Sequence, residues 1–269
     1  MDLGLTDRVV VVTGGAAGIG RDICRAFGQE GAHVVVADIV DGSGEDRPPA
    51  ADELAALGVR SSYVRTDVSR LDQVEEMLES VVAEFGAVDV LVNNAAWWPL
   101  PHQFFWAEDP AHWQRMIDVV LYGALNCSRV VGDHMRLRGS GAIVNIASDS
   151  ALLGEQKETT YSAAKGAVVS LTYSLAIGLG PSGVRVNCVS PGRTVSEAYF
   201  EERERVLQVG GDEAQRYLDR ERRALRYYPL RKYGTPRDVS NVVLALASPV
   251  VSGHVTGQVV SVSGGFRVG

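Results

Sequence analysis

The chain is poor in lysine and carries no excess of positive charge. Only three of its 26 basic residues are lysine, and the formal net charge of the 269 residues is −7. Surfaces that bind nucleic acid or anionic lipid need concentrated positive charge. The composition therefore argues against both kinds of partner and favours a small-molecule substrate.

The chain also lacks a long apolar run, whereas a membrane-spanning helix needs about 20 such residues. Its N-terminus, MDLGLTDRVVVVTGG, has no basic region and contains Asp2 and Asp7, unlike a signal peptide. The cysteines Cys24, Cys127 and Cys188 are odd in number and far apart, as is typical of free thiols in a reducing compartment. No cysteine–histidine cluster has the spacing of a zinc site, so we expect no metal. Together these features predict a cytoplasmic protein.

Short runs of β-branched residues alternate with longer helical patterns along the whole chain. Most of the runs are continuously apolar, which is typical of strands covered on both faces in a parallel sheet. The alternation predicts an α/β fold over residues 1–269: a single-domain, Rossmann-like, doubly wound parallel sheet of about seven strands with helices on both faces. The predicted strands are 8–14, 32–38, 61–67, 88–94, 141–148, 184–190 and 257–265. The predicted helices are 18–30, 50–57, 71–85, 110–137, 161–179 and 236–247.

One segment, 193–234, breaks this alternation. It is charged, partly helical and lies between the sixth strand and the last helix. Long excursions of this kind are either functional lids or loose insertions. Because this one follows a strand end on the edge where such sheets bind ligands, we predict a substrate lid. Its many arginines are accompanied by Glu and Asp, which indicates a solvated helix face rather than a phosphate site.

The segment TGGAAGIG follows the first strand directly and opens a helix. Its glycines Gly14, Gly18 and Gly20 permit a sharp turn and remove the Cβ atoms that would keep a pyrophosphate away from the backbone. Free amides at the helix start then face the anion. The spacing differs from the usual G-x-G-x-x-G pattern, and a bare tight turn is the alternative. The position between a buried strand and a helix favours dinucleotide binding.

Polar residues at the ends of the next strands indicate the rest of a dinucleotide site. Asp38 ends the second strand, where it can accept hydrogen bonds from the adenosine ribose and would repel a 2′-phosphate. No arginine or lysine occurs at 13–20 or 39–46, so the sequence favours NAD over NADP. Asp67 can take the adenine amino group and Asn93 can brace the ribose side, although either residue is equally typical of a turn.

Tyr161 and Lys165 stand one helical turn apart, at the start of the helix after the fifth strand, which makes their side chains neighbours. Their surroundings, SAAKGAVVS, are small and apolar, unlike those of an ordinary surface pair. A free tyrosine has a pKa near ~10, and we expect the neighbouring ammonium to lower it. Tyr161 could then act as general acid or base for an alcohol or ketone. Ser148, at the end of the fifth strand, could hydrogen-bond the developing alkoxide.

Together these segments resemble the short-chain dehydrogenase/reductase family from end to end. The resemblance rests on TGGAAGIG, DV at 67–68, NNAA, IVNIAS, YSAAK, RVNCVSPG and GQVVSVSGG. It implies catalysis by Ser148, Tyr161 and Lys165, NAD as the cofactor and a homotetramer. It also implies that the cofactor is bound by Gly14, Ile19, Asp38, Ile39, Asp67, Val68, Asn93, Ala95, Tyr161, Lys165, Pro191, Gly192, Thr194 and Ser196.

Two positions depart from the family pattern. Val120 stands where the family usually has an asparagine that supports a water molecule in a proton relay, and Asn126 is too far along the helix to be an obvious replacement. This puts the relay in doubt, but not the Ser–Tyr–Lys core. Ala96 replaces the glycine of the usual NNAG, and its additional methyl group narrows the pocket.

The aromatic residues indicate the kind of substrate. All four tryptophans lie within 17 positions, beginning at WWPLPHQFFW. Trp97 and Trp98 follow the fourth strand, where they can line a pocket for a bulky or cyclic apolar alcohol together with Ser148 and Tyr161. Helix packing is the other interpretation, and we prefer it for Trp113.

The sequence thus predicts an NAD-dependent oxidoreductase that transfers a hydride between the cofactor and a secondary alcohol or ketone, with Tyr161 as the acid/base. The fragments NIASD and GQVVSVSGG resemble bacterial alicyclic hydroxyacyl-CoA dehydrogenases. Two other classes stay open. An NAD-bound epimerase or dehydratase would use the same tyrosine and lysine without net cofactor turnover, but such chains usually carry a larger C-terminal domain. A cofactor-sensing protein with little catalysis is suggested only by Val120.

Overall fold

The valine-rich runs become the strands of one parallel sheet. The computed structural model describes residues 2–44, 47–98, 102–195 and 197–266, and within them the sheet has seven strands in the order β3-β2-β1-β4-β5-β6-β7. Each neighbouring pair of strands is parallel. The predicted strands are thereby confirmed, as β1 (Val9–Thr13), β2 (His33–Asp38), β3 (Ser61–Arg65), β4 (Val90–Asn93), β5 (Gly141–Ile146), β6 (Val184–Pro191) and β7 (Val259–Val262).

Helices cover both faces of the sheet, because alternate residues of each strand point to opposite sides. Val10 and Val12 pack with Phe27 of α1 and Val243 of α10 in one core. The alternating residues of the same strand, Val9 and Val11, point to the other face and pack with α3, α5 and α7 in a second core. The doubly wound architecture is therefore confirmed. The helices are α1 (Gly18–Gln29), α2 (Ala50–Ala55), α3 (Leu71–Phe85), α4 (Pro110–Ile117), α5 (Gly123–Arg138), α6 (Ser150–Leu153), α7 (Thr159–Leu179), α8 (Glu197–Val209), α9 (Gly211–Leu225) and α10 (Pro236–Ala247).

The helix predicted over 110–137 is interrupted. Between α4 and α5 the chain forms a π-helical turn, Asp118–Tyr122, with Val120 buried at its centre. A π-helical turn adds one residue to the helical repeat and frequently marks a functional site. Just after it, a Cβ atom at Gly123 would lie 2.6 Å from a methyl group of Val68. Only glycine allows the helix to approach the loop after β3 this closely.

The excursion at 193–234 contains two helices, α8 and α9. The carboxylate of Glu221 on α9 accepts a hydrogen bond from the hydroxyl of Tyr199 (2.7 Å) and pairs with the guanidinium of Arg203 (3.0 Å), both on α8. One side chain thus ties the two helices together. The partly helical character predicted for this segment is confirmed.

Within the described residues, one helical stretch, Thr159–Ser182, is long and apolar enough by length and composition to cross a bilayer. The core helix of a soluble protein passes the same test. This stretch contains α7, which packs against β6 and buries Ala164, Val168 and Thr172 inside the fold.

Candidate active site

The carboxyl ends of the strands bring most of the predicted site residues to one edge of the sheet. From β1 the chain adds strands toward one edge of the sheet, and from β4 it adds them toward the other edge, so the boundary between β1 and β4 is a topological switch point. Doubly wound sheets bind ligands in the crevice at the carboxyl ends of the strands beside such a point. Asp38 ends β2, Asn93 ends β4 and Pro191 ends β6. Residues separated by more than 150 positions in the chain thus meet at a single crevice.

The glycine turn after β1 has the conformation and crowding that require glycine. Gly14 and Gly18 have φ angles of +63° and +54°. A Cβ at Gly14 would lie 2.8 Å from Ala95 Cα, and one at Gly20 would lie 2.0 Å from the carbonyl oxygen of Gly14. The described first turn of α1 contains no acidic residue and no side-chain cap, which leaves its amides for an anion.

Asn94 holds this turn in place, a role that the sequence reasoning missed. Its side-chain nitrogen donates to the carbonyl oxygens of Thr13 and Gly14, each at 3.0 Å. The backbone N–H of Ala95 donates to the hydroxyl of Thr13 at 3.1 Å. The NNAA segment therefore locks the phosphate turn from the neighbouring strand. The repeated asparagine at 93–94 was the available signal.

Asp38 faces the glycine turn. Its carboxylate accepts hydrogen bonds from the backbone N–H of Ala16 (3.1 Å) and of Val40 (3.4 Å). The nearby cations are engaged elsewhere, because the side chains of Arg21 and Arg47 both donate to the carbonyl oxygen of Gly42. Ile39 is largely exposed on the same loop, and Ile19 is partly buried in the first turn of α1.

Asp67, Val68 and Asn93 lie at the crevice but use their polar groups in ways the sequence did not reveal. The Asp67 carboxylate accepts from the N–H (3.1 Å) and hydroxyl (2.7 Å) of Ser69, as in a turn. Val68 is buried, and its carbonyl oxygen accepts from Asn126. Asn126 is therefore engaged away from the position of Val120.

The side chain of Asn93 points inward rather than toward a ribose. Its nitrogen donates to the hydroxyl of Ser128 (3.0 Å) and to Asn145 Oδ1 (2.8 Å), so it braces β4 against β5 and α5. Its Oδ1 atom is buried and has no hydrogen-bond partner among the described residues. Asn93 lines a small cavity of about 10 Å³ together with Lys165 and Val120.

Ser148, Tyr161 and Lys165 are assembled as predicted. Ser148 follows β5, and its hydroxyl oxygen accepts from the hydroxyl of Ser150 at 3.0 Å. Ser148 also forms a hydrogen bond with Tyr161. The ammonium of Lys165 is buried, donates to the carbonyl oxygen of Ile146 at 2.6 Å and lies 5.8 Å from the centre of the Tyr161 ring.

The expected lowering of the tyrosine pKa is wrong for this structure. Burial raises the pKa of Tyr161 to about 12, the Glu158 carboxylate raises it further, and the hydrogen bond from Ser148 opposes both. Burial also lowers the pKa of Lys165 to about 8, against a smaller opposing effect of Cys188. Desolvation disfavours the charged form of each group and is the largest cause of both shifts.

An aromatic pocket opens beside Tyr161. The rings of Trp98 and Tyr161 are stacked, with their centroids 5.2 Å apart and an angle of 14° between their planes. Trp97 instead packs against the apolar cluster of Met116 and Val120, as in the alternative interpretation. Trp113 stacks on Phe105, as predicted for packing, but it also lines the pocket.

The pocket is more polar than the sequence suggested. Glu108 accepts hydrogen bonds from Trp113 Nε1 (2.8 Å) and from the hydroxyl of Thr160 (2.6 Å). Lys157 and Glu158 also line the pocket. Burial and the nearby Glu155 raise the pKa of Glu158. Lys157 and Glu158 immediately precede α7, so their closeness to Tyr161 in the sequence was the signal that could have revealed them.

The remaining residues that are predicted to contact the cofactor lie at and after the end of β6. A Cβ at Gly192 would lie 2.7 Å from Ser263 Cβ, so glycine is required where β6 passes β7. The hydroxyl of Thr194 donates to the carbonyl oxygen of Gly192 at 3.2 Å, which turns Thr194 back toward the strand end. Ser196 lies outside the described residues.

Comparison with known proteins gives matches along almost the whole chain. A model of a protein family described as enoyl-(acyl carrier protein) reductase matches residues 14–267. An uncharacterized oxidoreductase of Thermotoga maritima is 37% identical over 265 residues, which cover 98% of this chain and 97% of the relative.

Two further relatives have names that specify a substrate. The cis-4-hydroxycyclohexanecarboxylate dehydrogenase of Sinomonas cyclohexanicum is 35% identical, with 97% of this chain and 96% of the relative covered. A subunit of the (2S)-[(R)-hydroxy(phenyl)methyl]succinyl-CoA dehydrogenase of Thauera aromatica is 37% identical, with 98% of each chain covered. A crystal structure described as a candidate short-chain alcohol dehydrogenase of Sinorhizobium meliloti superimposes with a TM-score of 0.84 at 26% identity, covering 100% of this chain and 99% of the other.

Proposed function

Because the chain belongs to the short-chain dehydrogenase/reductase family, we propose that it is an NAD-dependent oxidoreductase that interconverts a bulky or cyclic secondary alcohol and its ketone. Family membership makes it an oxidoreductase of alcohol or keto substrates and implies a nicotinamide cofactor. The observation that carries the finer proposal is the stack of Trp98 on Tyr161, beside the buried ammonium of Lys165.

The residues at the crevice fit a nicotinamide dinucleotide. The glycine turn has no room for Cβ atoms at Gly14 and Gly20, and the amides at the start of α1 can hold the phosphates. The Asp38 carboxylate can accept from the ribose hydroxyls. The guanidinium groups of Arg21 and Arg47 donate to Gly42, and this supports NAD over a cofactor with a 2′-phosphate. When bound, the nicotinamide gives or accepts the hydride.

Tyr161 moves the proton in this proposal. With its pKa raised to about 12, the phenol is protonated at neutral pH and can donate to a ketone oxygen. Ser148 stabilises the same oxygen. Its hydroxyl already hydrogen-bonds to the Tyr161 hydroxyl, so both groups can point at one substrate oxygen.

In this proposal, Lys165 is the group that follows Tyr161 on the path of the proton away from the substrate. One N–H of its ammonium donates to the carbonyl oxygen of Ile146. The other two can donate to the cofactor ribose and to a water molecule in the small cavity. Val120 offers no polar side chain there, but Asn93, whose Oδ1 atom has no hydrogen-bond partner among the described residues, lines the same cavity. A volume of about 10 Å³ suits one water molecule. We infer that the side chain of Asn93 accepts a hydrogen bond from this water molecule, the role that an asparagine at the position of Val120 usually has in the family.

The pocket supports a cyclic substrate with at least one polar substituent. The indole ring of Trp98 offers a flat apolar wall next to the reacting hydroxyl. His102, Lys157 and Glu158 provide polar contacts farther along the pocket. The names of the Sinomonas and Thauera relatives each include a ring and a carboxyl-derived group. We further propose that the segment 193–234 acts as the lid of this pocket.

The direct test is an absorbance assay at the NADH band with a panel of cyclic alcohols and their ketones. We expect the wild-type protein to form NADH from at least one alcohol. The variant Tyr161→Phe should bind NADH with a nearly unchanged Kd but lose turnover by at least about 100-fold, because proton transfer is worth 10²–10⁴ in rate. Full activity of Tyr161→Phe would overturn the acid/base assignment.

The same assay separates the alternatives. Product without net NADH would indicate an epimerase or dehydratase. Tight NADH binding without any product would indicate a cofactor-sensing protein. Either result would replace the proposed function.

A further inference from the structure

Asp149 stands at the start of a helix, but its carboxylate does not cap that helix. It directly follows Ser148 and precedes α6, the position where an aspartate usually accepts hydrogen bonds from the first N–H groups of the helix. Here the side chain makes no such bond. The hydroxyl of Ser148 instead accepts from the N–H of Ser150 at 3.3 Å.

The carboxylate of Asp149 is buried, with 3% of the residue exposed. Within the residues that the structure describes, no ion pair includes it. A buried carboxylate without a cation is costly unless hydrogen bonds satisfy it. For Asp149 these hydrogen bonds come from residues far away in the sequence.

The partners of Asp149 come from the ends of two other strands. Ser190 on β6 donates its hydroxyl to Oδ1 at 2.7 Å. Ser261 on β7 donates to both carboxylate oxygens, at 2.9 and 2.8 Å. The backbone N–H of Asp149 donates to the carbonyl oxygen of Pro191 at 2.9 Å. The residue therefore ties the turn that holds Ser148 to the ends of β6 and β7.

We propose that Asp149 is a positioning residue that acts through Ser148. Backbone hydrogen bonds from Ala147 to Val189 and from Asp149 to Pro191 hold the turn to β6 on both sides of Ser148, but they do not reach β7. The carboxylate extends the connection across β6 to β7 and holds the serine hydroxyl in its relation to Tyr161. This inference rests on the proposed function, because it assigns Ser148 a part in that reaction.

The test is a double-mutant cycle with Asp149→Ala and Ser148→Ala, in which kcat is expressed per NADH-binding site so that misfolded protein is not counted. We expect Asp149→Ala to lower kcat by about 10- to 100-fold, because small misplacements of a reacting group cost that much. In the Ser148→Ala background the same change should cost less than about 3-fold, since residues that act as one unit are not additive. Equal losses in both backgrounds would overturn the proposal, because a general structural defect is additive.

Two further variants keep the result interpretable. Asp149→Asn retains an oxygen that can accept from Ser190 and Ser261, and should recover most of the kcat lost in Asp149→Ala. No recovery would count against positioning. Asn187→Ala is the matched control, because Asn187 also connects β6 to the segment before β7, through Val255 and Gln258, but far from Ser148. It should lower Tm while leaving kcat per binding site unchanged.

The wild-type protein in the same assay separates this inference from the proposed function. No wild-type turnover with any substrate of the panel would overturn both. Wild-type turnover with additive losses in the cycle would overturn the role of Asp149 alone.

Discussion

At the scale of single residues, Asp38 is the group that we propose selects NAD over NADP. Its carboxylate lies against the glycine turn, bonded to the N–H of Ala16. We expect Asp38→Ala to raise the ratio of kcat/KM for NADP to that for NAD by about 10-fold or more, because removing a like charge relieves several kcal/mol of repulsion. Asp41→Ala is the control, since that carboxylate is exposed and bonded to Ser43. An unchanged ratio in Asp38→Ala would contradict the ribose contact.

The pKa values of Tyr161 and Lys165 predict opposite pH profiles for the two directions of reaction. Tyr161 must lose its proton to act as a base, and its pKa is raised to about 12. The kcat/KM for alcohol oxidation should therefore rise with pH between about 7 and 9. Ketone reduction needs both groups protonated, and the pKa of Lys165 is lowered to about 8. It should stay level up to about pH 8 and then fall. Initial rates in both directions with one alcohol–ketone pair check this, and an oxidation rate independent of pH would contradict it.

These residue-level properties were only partly predictable. The identities of Ser148, Tyr161 and Lys165 follow from their spacing and from the strand end. The direction of the tyrosine pKa shift does not, because it depends on burial at a site where Trp98, from a loop 63 positions earlier, covers the ring. The hydrogen bonds of Asp149 come from residues 41 and 112 positions away. No local pattern contains them.

At the scale of elements, α8 and α9 are joined by Glu221, which binds Tyr199 and Arg203. We expect Glu221→Ala to separate the two helices, so that amide hydrogen exchange in both becomes faster. If the segment is a lid, KM for the substrate should rise several-fold while the Kd for NADH stays constant. The control is Glu202→Ala, because Glu202 pairs with Arg205 on the exposed surface of one helix, where such pairs contribute little. Normal exchange in Glu221→Ala would show that this contact does not order the segment.

The element boundaries show what hydrophobic spacing can reveal. The strands were predictable because short, continuous runs of valine with a turn on each side are typical of buried strands and too short for helices. The π-helical turn at Asp118–Tyr122 was not, because one extra residue hardly changes the spacing of apolar positions over 28 residues. The close approach of Gly123 to Val68 directly after this turn is likewise displayed only by the folded chain.

At the scale of the whole molecule, the outer face of α7 is unusually apolar for a surface. Ile177 is 79% exposed and Tyr173 is 47% exposed, one turn apart, and Leu125 of α5 is exposed as well. Contiguous apolar surface of this kind marks association sites. We propose a homo-oligomer, consistent with the tetramer expected from the family resemblance.

The variant Ile177→Asp should shift the mass in solution from a multiple of the chain mass toward the 28.9 kDa of one chain, measured by light scattering after size-exclusion chromatography. A charge placed in a buried apolar contact is costly, which is the reason for dissociation. Val209→Asp is the control, since Val209 is similarly exposed but lies on α8. A wild-type protein that already has the mass of one chain would contradict the proposal.

The clustering of the tryptophans has a practical consequence. Trp98 stacks on Tyr161, Trp97 packs beside it and Trp113 lines the same pocket. Trp106, at 82% exposure, stacks on Phe104 and is not among the residues that line the pocket. Three of the four tryptophans therefore lie around one small region, so their ultraviolet emission should respond to what binds there. Occupancy of the pocket can be followed optically, without attaching a dye to any of the buried cysteines.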